Sequence, residues 1–433
     1  MFTLRKTMKP LKITYVLPVY WPAIGGCELH THELVMRLCE RHVINVITLI
    51  NNQKDKERGG DLWVSCVLSA PNTPDTYNDH KAVVTRLMLK GYEKSILLRL
   101  QGPKIPVALR RYAMGIFIRF YKRRLMEMIK GCDLVHAIHG DVSWLGYAAM
   151  LAARERNIPF VYTPLSHLYQ KGKAITRTYQ NMNVFPISEL KMSARGTVNN
   201  IWLKTCYEAD ALLTMTRFER DFFVGNDINK NAYAIGVGPI VLEHPSENFK
   251  ERHGITDKQV VLFLGRLNRD KGVEETLKAA RIVWERLPET YFFFIGPMEW
   301  GCNDVFKKYR DGRVVVIGPA DMHEKSAALK ACDILCVPSV TESLGGVYLE
   351  AWFYGKPVIG TNIPPFQEIS GNGQGGVIVE PSPEEIAKGI LLLLENPLIR
   401  GRMGEWGRQR VLEEYNWGNI SNKVEEIYYN LCG

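Results

Sequence analysis

The chain has 433 residues, 46% of them hydrophobic and 23% charged, with a formal net charge of +9. That length suits two or three domains with cores of their own, and the composition excludes a disordered or fibrous protein. The nine cysteines are odd in number and scattered through apolar runs, so free buried thiols in a reducing compartment are expected rather than a disulfide framework. The one close pair, Cys332 and Cys336, lies where a helix passes into a strand with no second ligand pair nearby, which favours core packing over zinc.

The first element is a strand, KITYVLPVY. Pro18 and Pro22 interrupt the apolar stretch and no small-residue cleavage site follows, so it is read as a buried strand and not as a signal peptide. A loop bearing Gly25 and Gly26 leads into the helical run CELHTHELVMRLCE. His30 and His32 in that run are two apart, a spacing that does not share a helix face, so no metal pair is expected there. Strand VINVITLI follows.

Residues 81–130 then hold 13 Lys or Arg against Glu93 and Glu127, a local +11 that leaves −2 for the remainder of the +9 chain. Arg110, Arg111, Arg119, Lys122, Arg123 and Arg124 interleave with Tyr112, Ile116, Phe117, Phe120 and Tyr121. That mixture suits an anionic membrane surface, and it equally suits a solvated helix face. A nucleic-acid groove is not expected, since no binding motif accompanies the charge. No uninterrupted apolar run approaches the roughly 18 residues needed to span a bilayer.

Strand DLVHAIH, helix WLGYAAMLAARER, strand IPFVYTP and strand ADALLTMT complete the first half. Around residues 236–254 Gly, Pro and charges replace the periodicity, which marks a boundary. The second half repeats the rhythm with strand QVVLFLG, helix VEETLKAARIVWERL, strands TYFFFIG and RVVVIG, helix HEKSAALKAC, strand DILCVPS and strand KPVIGT. Continuous apolar strands alternating with amphipathic helices imply parallel sheets covered on both faces. Two such series imply two doubly wound α/β domains, with ligands bound beyond the carboxyl ends of the strands.

Two junctions in the second half carry chemistry. In LFLGRLNRDKGVEETL a strand ends at Gly265, and Arg266 and Lys271 occupy a short loop before a helix. A guanidinium fork and a compact ammonium beside a helix N-terminus suit a diphosphate, the alternative being an exposed loop with incidental charges. In PSVTESLGGVYLEAWFYG a helix opens at Gly345 and Gly346, whose backbone N–H groups can approach a phosphate or sugar oxygen. Glu342 stands before this helix, at the edge of a cleft. Glu350 lies about one and a half turns inside, between Leu349 and Trp352, and at that depth needs a partner that vicinal ribose hydroxyls would supply.

The combination GRLNRDKG with TESLGGVYLEA resembles the retaining glycosyltransferases of family 4, and the E-x7-E pattern is matched by Glu342 and Glu350. The resemblance runs along most of the chain, through PAIGGCELHTHEL, DLVHAIHGD, VYTPLSH, TNIPPFQEI and GGVIVEP. It implies the GT-B fold, two Rossmann-like domains facing across an interdomain cleft. Residues 1–240 would form the acceptor-side domain with the basic segment 81–130, residues 241–410 the nucleotide-sugar domain, and 411–433 a helix returning to the first domain. It further implies that Arg266 and Lys271 hold the donor diphosphate and stabilise the leaving group. Glu350 would bind the ribose and Glu342 the transferred sugar, while the backbone of Ser343, Leu344, Gly345 and Gly346 approaches sugar and phosphate. Gly25 and Gly26 would line the phosphates from the other domain.

The family ends a strand in His-x-His, whereas this chain has His136-Ala-Ile-His139, one residue longer. His139 is assigned to the donor sugar, His136 to the core, and His167 is a second candidate. The Pro-Asn-Gly turn that usually opens the second domain is replaced by GVGPIVLEH, and Pro365 stands where a glycine is common. There is no Asp-x-Asp motif, in keeping with a reaction that needs neither metal nor cofactor beyond its nucleotide-diphosphate sugar, UDP being the first expectation. The expected function is sugar transfer with retention onto an acceptor hydroxyl, on a lipid-linked or anionic glycan acceptor in polysaccharide or glycolipid assembly. The expected location is cytoplasmic, peripheral on the inner face of a membrane. A nucleotide-sugar 2-epimerase on the same fold and a non-catalytic nucleotide-sugar-binding subunit are the rival readings.

Overall fold

The structure is a computed structural model that describes residues 9–57, 62–73, 75–99, 107–138, 144–165, 168, 201–246, 248–299 and 301–433. The described chain divides into two compact units, one formed by residues up to 165 with 201–235 and 420–433, the other by 236–419. His139 and His167 lie outside the described residues, as do the side chains of Arg110, Arg111 and Tyr112.

The first unit contains β1 (Lys12–Val16), β2 (Val43–Thr48), β3 (Asp75–Asp79), β4 (Ala82–Arg86), β5 (Leu134–Ile138), β6 (Phe160–Thr163), β7 (Ala211–Thr214) and β8 (Ala232–Ala234). They form one sheet in the order β3-β4-β2-β1-β5-β6-β7-β8. Every pairing is parallel except β3 with β4. The buried interior strands are the apolar runs seen in the sequence. The antiparallel hairpin at the edge was not expected. Its strand DTYND has no apolar alternation, because an edge strand is held by its ladder and need not bury a face.

His136 occupies the middle of β5 and is fully buried. Its Nδ1 meets the hydroxyl of Tyr428 at 2.6 Å and its Nε2 meets Thr163 Oγ1 at 2.8 Å, while the Tyr428 and Tyr15 hydroxyls are 2.8 Å apart. Tyr428 belongs to the terminal helix Trp417–Cys432, so this buried chain of polar groups ties the end of the sequence to β1, β5 and β6. Glu425 of the same helix takes hydrogen bonds from Arg41 and His42 at 2.8 Å each.

The second unit contains β9 (Val260–Leu264), β10 (Tyr291–Ile295), β11 (Val314–Ile317), β12 (Ile334–Cys336), β13 (Val358–Thr361) and β14 (Gly376–Val379). Its order is β11-β10-β9-β12-β13-β14, all parallel. The chain runs outward from β9 to β11 and then returns to the other side of β9 as β12. That reversal makes β9 and β12 the topological switch point, where parting crossovers leave a crevice at the strands' carboxyl ends.

Burial alone pushes the pKa of His30 down to about 4, and burial, with His30 as a smaller second cause, pushes that of His136 well below its usual value. Between about pH 6.5 and 4 the unfolded chain therefore binds protons on these rings that the folded chain refuses, and stability falls as pH falls. Urea unfolding should lose up to ~1.4 kcal/mol per pH unit per histidine over that window. His136→Gln should flatten the slope between pH 6.5 and 5.5, and an unchanged slope would contradict the assignment.

Candidate active site at the switch point of the second unit

The loop after β9 begins at Gly265, crosses Arg266 and Asn268, and tightens into a 3-10 turn over Arg269–Lys271. Asn268 caps that turn, its Oδ1 accepting from the Lys271 backbone N–H at 3.0 Å. Gly272 then adopts φ +79° and starts the helix Val273–Trp284. A Cβ there would lie 2.7 Å from the Pro338 carbonyl oxygen in the loop after β12. Only glycine meets both the left-handed φ and the close approach. The two loops are also joined by Val340 N–H donating to Asp270 O at 2.9 Å and by Ser339 Oγ donating to the same oxygen at 3.4 Å.

The loop after β12 brings Glu342 and Ser343 up to the helix Gly346–Phe353, which starts from Gly345 at φ +89°. Tyr348 anchors it by donating its buried hydroxyl to Val337 O at 2.6 Å. Leu344 is buried, and a Cβ on Gly346 would have only Val237 near it, at 3.9 Å. The backbone at Gly346 is therefore open to an incoming oxygen, whereas Gly345 is closed in by the Tyr348 ring, 2.5 Å from where its Cβ would lie.

Lys271 and Glu342 meet here. Lys271 Nζ donates to Glu342 Oε1 at 2.5 Å, with the side chains 15% and 7% exposed. Glu342 is thus buried on a lysine of the neighbouring loop. The second glutamate has the same arrangement. Lys325, on the helix Met322–Ala331 after β11, donates to Glu350 Oε1 at 2.8 Å, both groups being largely buried. Arg266 is more exposed and donates to Glu299 Oε1 at 3.1 Å, while Asn268 Nδ2 donates to Glu299 Oε2 at 3.0 Å.

The sequence reading missed two of these partners. Glu299 and Lys325 lie 33 and 25 residues from Arg266 and Glu350, with no local pattern to join them. The only signal was their position in the segments that follow β10 and β11 at the same end of the sheet. In the first unit, Gly25 and Gly26 stand at the start of the helix Gly26–Leu38. Beside them Lys56 Nζ donates to Glu28 Oε1 at 2.8 Å and to Ile24 O at 2.9 Å. His32 turns away from His30, with its Nδ1 3.0 Å from Asp79 Oδ2 and its ring stacked on Trp21.

Removing the ammonium of Lys271 leaves a buried carboxylate without its counter-ion, which costs about 3 kcal/mol. Lys271→Met should therefore lower the unfolding free energy by about that much. The double variant Lys271→Met with Glu342→Gln should recover more than half of it, and additive losses in a denaturant-based double-mutant cycle would show that the two are not coupled.

Residues 245–410 match the family model described as glycosyl transferases group 1. The D-inositol 3-phosphate glycosyltransferase of Corynebacterium urealyticum is 30% identical over 320 residues, covering 69% of this chain and 72% of that protein. The uncharacterized glycosyltransferase MJ1607 of Methanocaldococcus jannaschii is 29% identical over 187 residues, 42% of this chain, so the chain spans about half the length of that relative, 47%. Among solved structures, HepE of Anabaena in complex with UDP and glucose superposes with a TM-score of 0.68 at 15% identity, over 97% of this chain and all of that one. The fold is GT-B. With both units Rossmann-like and a relative of this identity matched over nearly three quarters of its length, the chain belongs to the group 1 glycosyltransferases, of family 4 type.

Proposed function

We propose that the chain moves a sugar, with retention of anomeric configuration, from a nucleotide-diphosphate sugar to an acceptor hydroxyl. The observation that carries this reading is the Lys271–Glu342 pair at the β9/β12 switch point, beside the helix start that is open at Gly346. Arg266 and Lys271 take the diphosphate and neutralise the charge that develops as the bond from the sugar C1 to phosphate oxygen breaks. Glu342 takes a hydroxyl of the transferred sugar, Glu350 the ribose, and the backbone from Ser343 to Gly346 the phosphate and sugar oxygens. Gly25, Gly26, His139 and His167 belong to the same proposal from the first half of the chain. The solved relative crystallised with UDP and glucose makes UDP-glucose the first donor to try. With two side-chain cations for the diphosphate, no metal and no further cofactor is required.

The acceptor we propose is anionic or lipid-linked, as in polysaccharide or glycolipid assembly, presented at a membrane. Support comes from the basic segment. Lys81, Arg86, Lys122 and Arg124 are neutralised by Glu40, Asp75, Glu155 and Glu93, but Lys90, Arg99, Arg119 and Arg123 are exposed. The Arg124–Glu93 pair holds the helix Gly91–Arg99 beside the helix Val107–Met128. Tyr92 and Ile96, one helical turn apart, are 59% and 39% exposed. No helix among the described residues is long and apolar enough to cross a membrane.

A panel of UDP-, GDP- and ADP-sugars should contain one that raises the melting temperature in proportion to ln(1 + [L]/Kd). Turnover of that donor with an acceptor should survive EDTA and fall at least a hundredfold in Glu342→Gln, about 2.7 kcal/mol of transition-state stabilisation. Product of inverted configuration, or full turnover in the variant, would overturn the reading. Binding to phosphatidylglycerol vesicles should weaken with salt, and the double charge reversal Arg119→Glu, Arg123→Glu should reduce it tenfold or more, each cation contributing about 1 kcal/mol. Salt-independent binding would refute the membrane part alone.

A further inference from the structure

We infer that Lys325 is a positioning residue for nucleotide recognition: its ammonium fixes the carboxylate of Glu350 so that a vicinal diol of the ribose can be bound by both side chains. The inference rests on the assignment of Glu350 to the ribose. Glu350 lies in the second turn of the helix Gly346–Phe353, next to the fully buried Leu349 and Trp352, where a carboxylate needs a counter-ion. Lys325 supplies it from the helix Met322–Ala331, 25 residues earlier in the chain.

Local electrostatics do not explain the lysine. It stands in the first turns of its helix, the end where the dipole disfavours a cation. The two acids of that helix start are engaged elsewhere. Asp321 Oδ1 accepts from the Glu324 backbone N–H at 2.9 Å, and Glu324 pairs with Arg252 at 2.6 Å. Glu350 is the one acid hydrogen-bonded to Lys325 among the described residues.

The geometry leaves capacity for a ligand. Only Glu350 Oε1 is bonded to the lysine, and Oε2 makes no hydrogen bond among the described residues. An ammonium has three donors, one of which is used here. A ribose hydroxyl can therefore donate to the carboxylate and accept from Lys325 at once, and two adjacent hydroxyls can use both oxygens. The register of the two helices is held independently of the ion pair. Leu242 N–H donates to Ser326 Oγ at 3.0 Å, and Leu242 O accepts from the hydroxyl of Tyr354, just past the second helix. Removing the Lys325 ammonium should thus free the carboxylate without separating the helices.

The test is the ratio of dissociation constants for a nucleoside diphosphate and its 2′-deoxy counterpart, measured by calorimetry with UDP, GDP and ADP in turn. Wild type should prefer the ribonucleotide at least tenfold. Lys325→Met should reduce that preference to the level of Glu350→Gln. Lys325→Gln, which keeps a neutral donor and covers the case where the methionine variant does not fold, should retain about a third of it, and Lys325→Arg most of it. Steady-state kinetics should show KM for the donor rising in Lys325→Met while kcat at saturation changes less than threefold. A wild type that prefers the ribonucleotide, with the preference intact in both the methionine and glutamine variants, would overturn the role of Lys325 alone. No preference in wild type would remove the ribose assignment of Glu350 and this inference with it. Failure of every nucleoside diphosphate to bind would remove the donor reading itself.

Discussion

A carboxylate moved out of water must find a cation or several donors, and the second unit is arranged around that constraint at two places. Glu342 and Glu350 both sit where the surrounding side chains are apolar, and each is held by a lysine from a different element. The sheet order decides which elements those are. Because β12 returns beside β9, the loop carrying Lys271 and the loop carrying Glu342 leave adjacent strands at the same end. The left-handed Gly272 allows those loops to touch, and the Asp270 carbonyl, accepting from both Val340 and Ser339, holds them there.

This arrangement stores its cations on its own anions. Arg266, Lys271 and Lys325 are each engaged by Glu299, Glu342 and Glu350. A bound diphosphate would compete with Glu299 and Glu342 for Arg266 and Lys271, while Lys325 stays on Glu350. Arg266, the more exposed of the two, is the easier to release; Lys271 is largely buried and its release needs a ligand that replaces the carboxylate's partner.

The first unit adds a neutral network to its buried ion pairs. The chain Tyr15, Tyr428, His136 and Thr163 satisfies every ring nitrogen of the histidine inside the core. The terminal helix is thereby part of that core rather than an appendage. His136, a polar residue in a buried strand, has a structural explanation that leaves it no free nitrogen for a substrate.

The sequence by itself determined the two parallel-sheet units, since continuous apolar strands separated by amphipathic helices have few other ways to bury both faces. It also placed Arg266, Lys271 and Glu342 near strand ends, because short loops after strong strands leave them nowhere else to go, and Glu350 inside the helix that follows. Local pattern could not reveal the edge strand β3, whose polar letters DTYND show no apolar alternation, nor the counter-ions Glu299 and Lys325. The counter-ions were decided by tertiary structure, through the strand order that brings segments 25 and 33 residues apart to one end of one sheet. Buried charges pair by distance in space, and only the fold sets that distance.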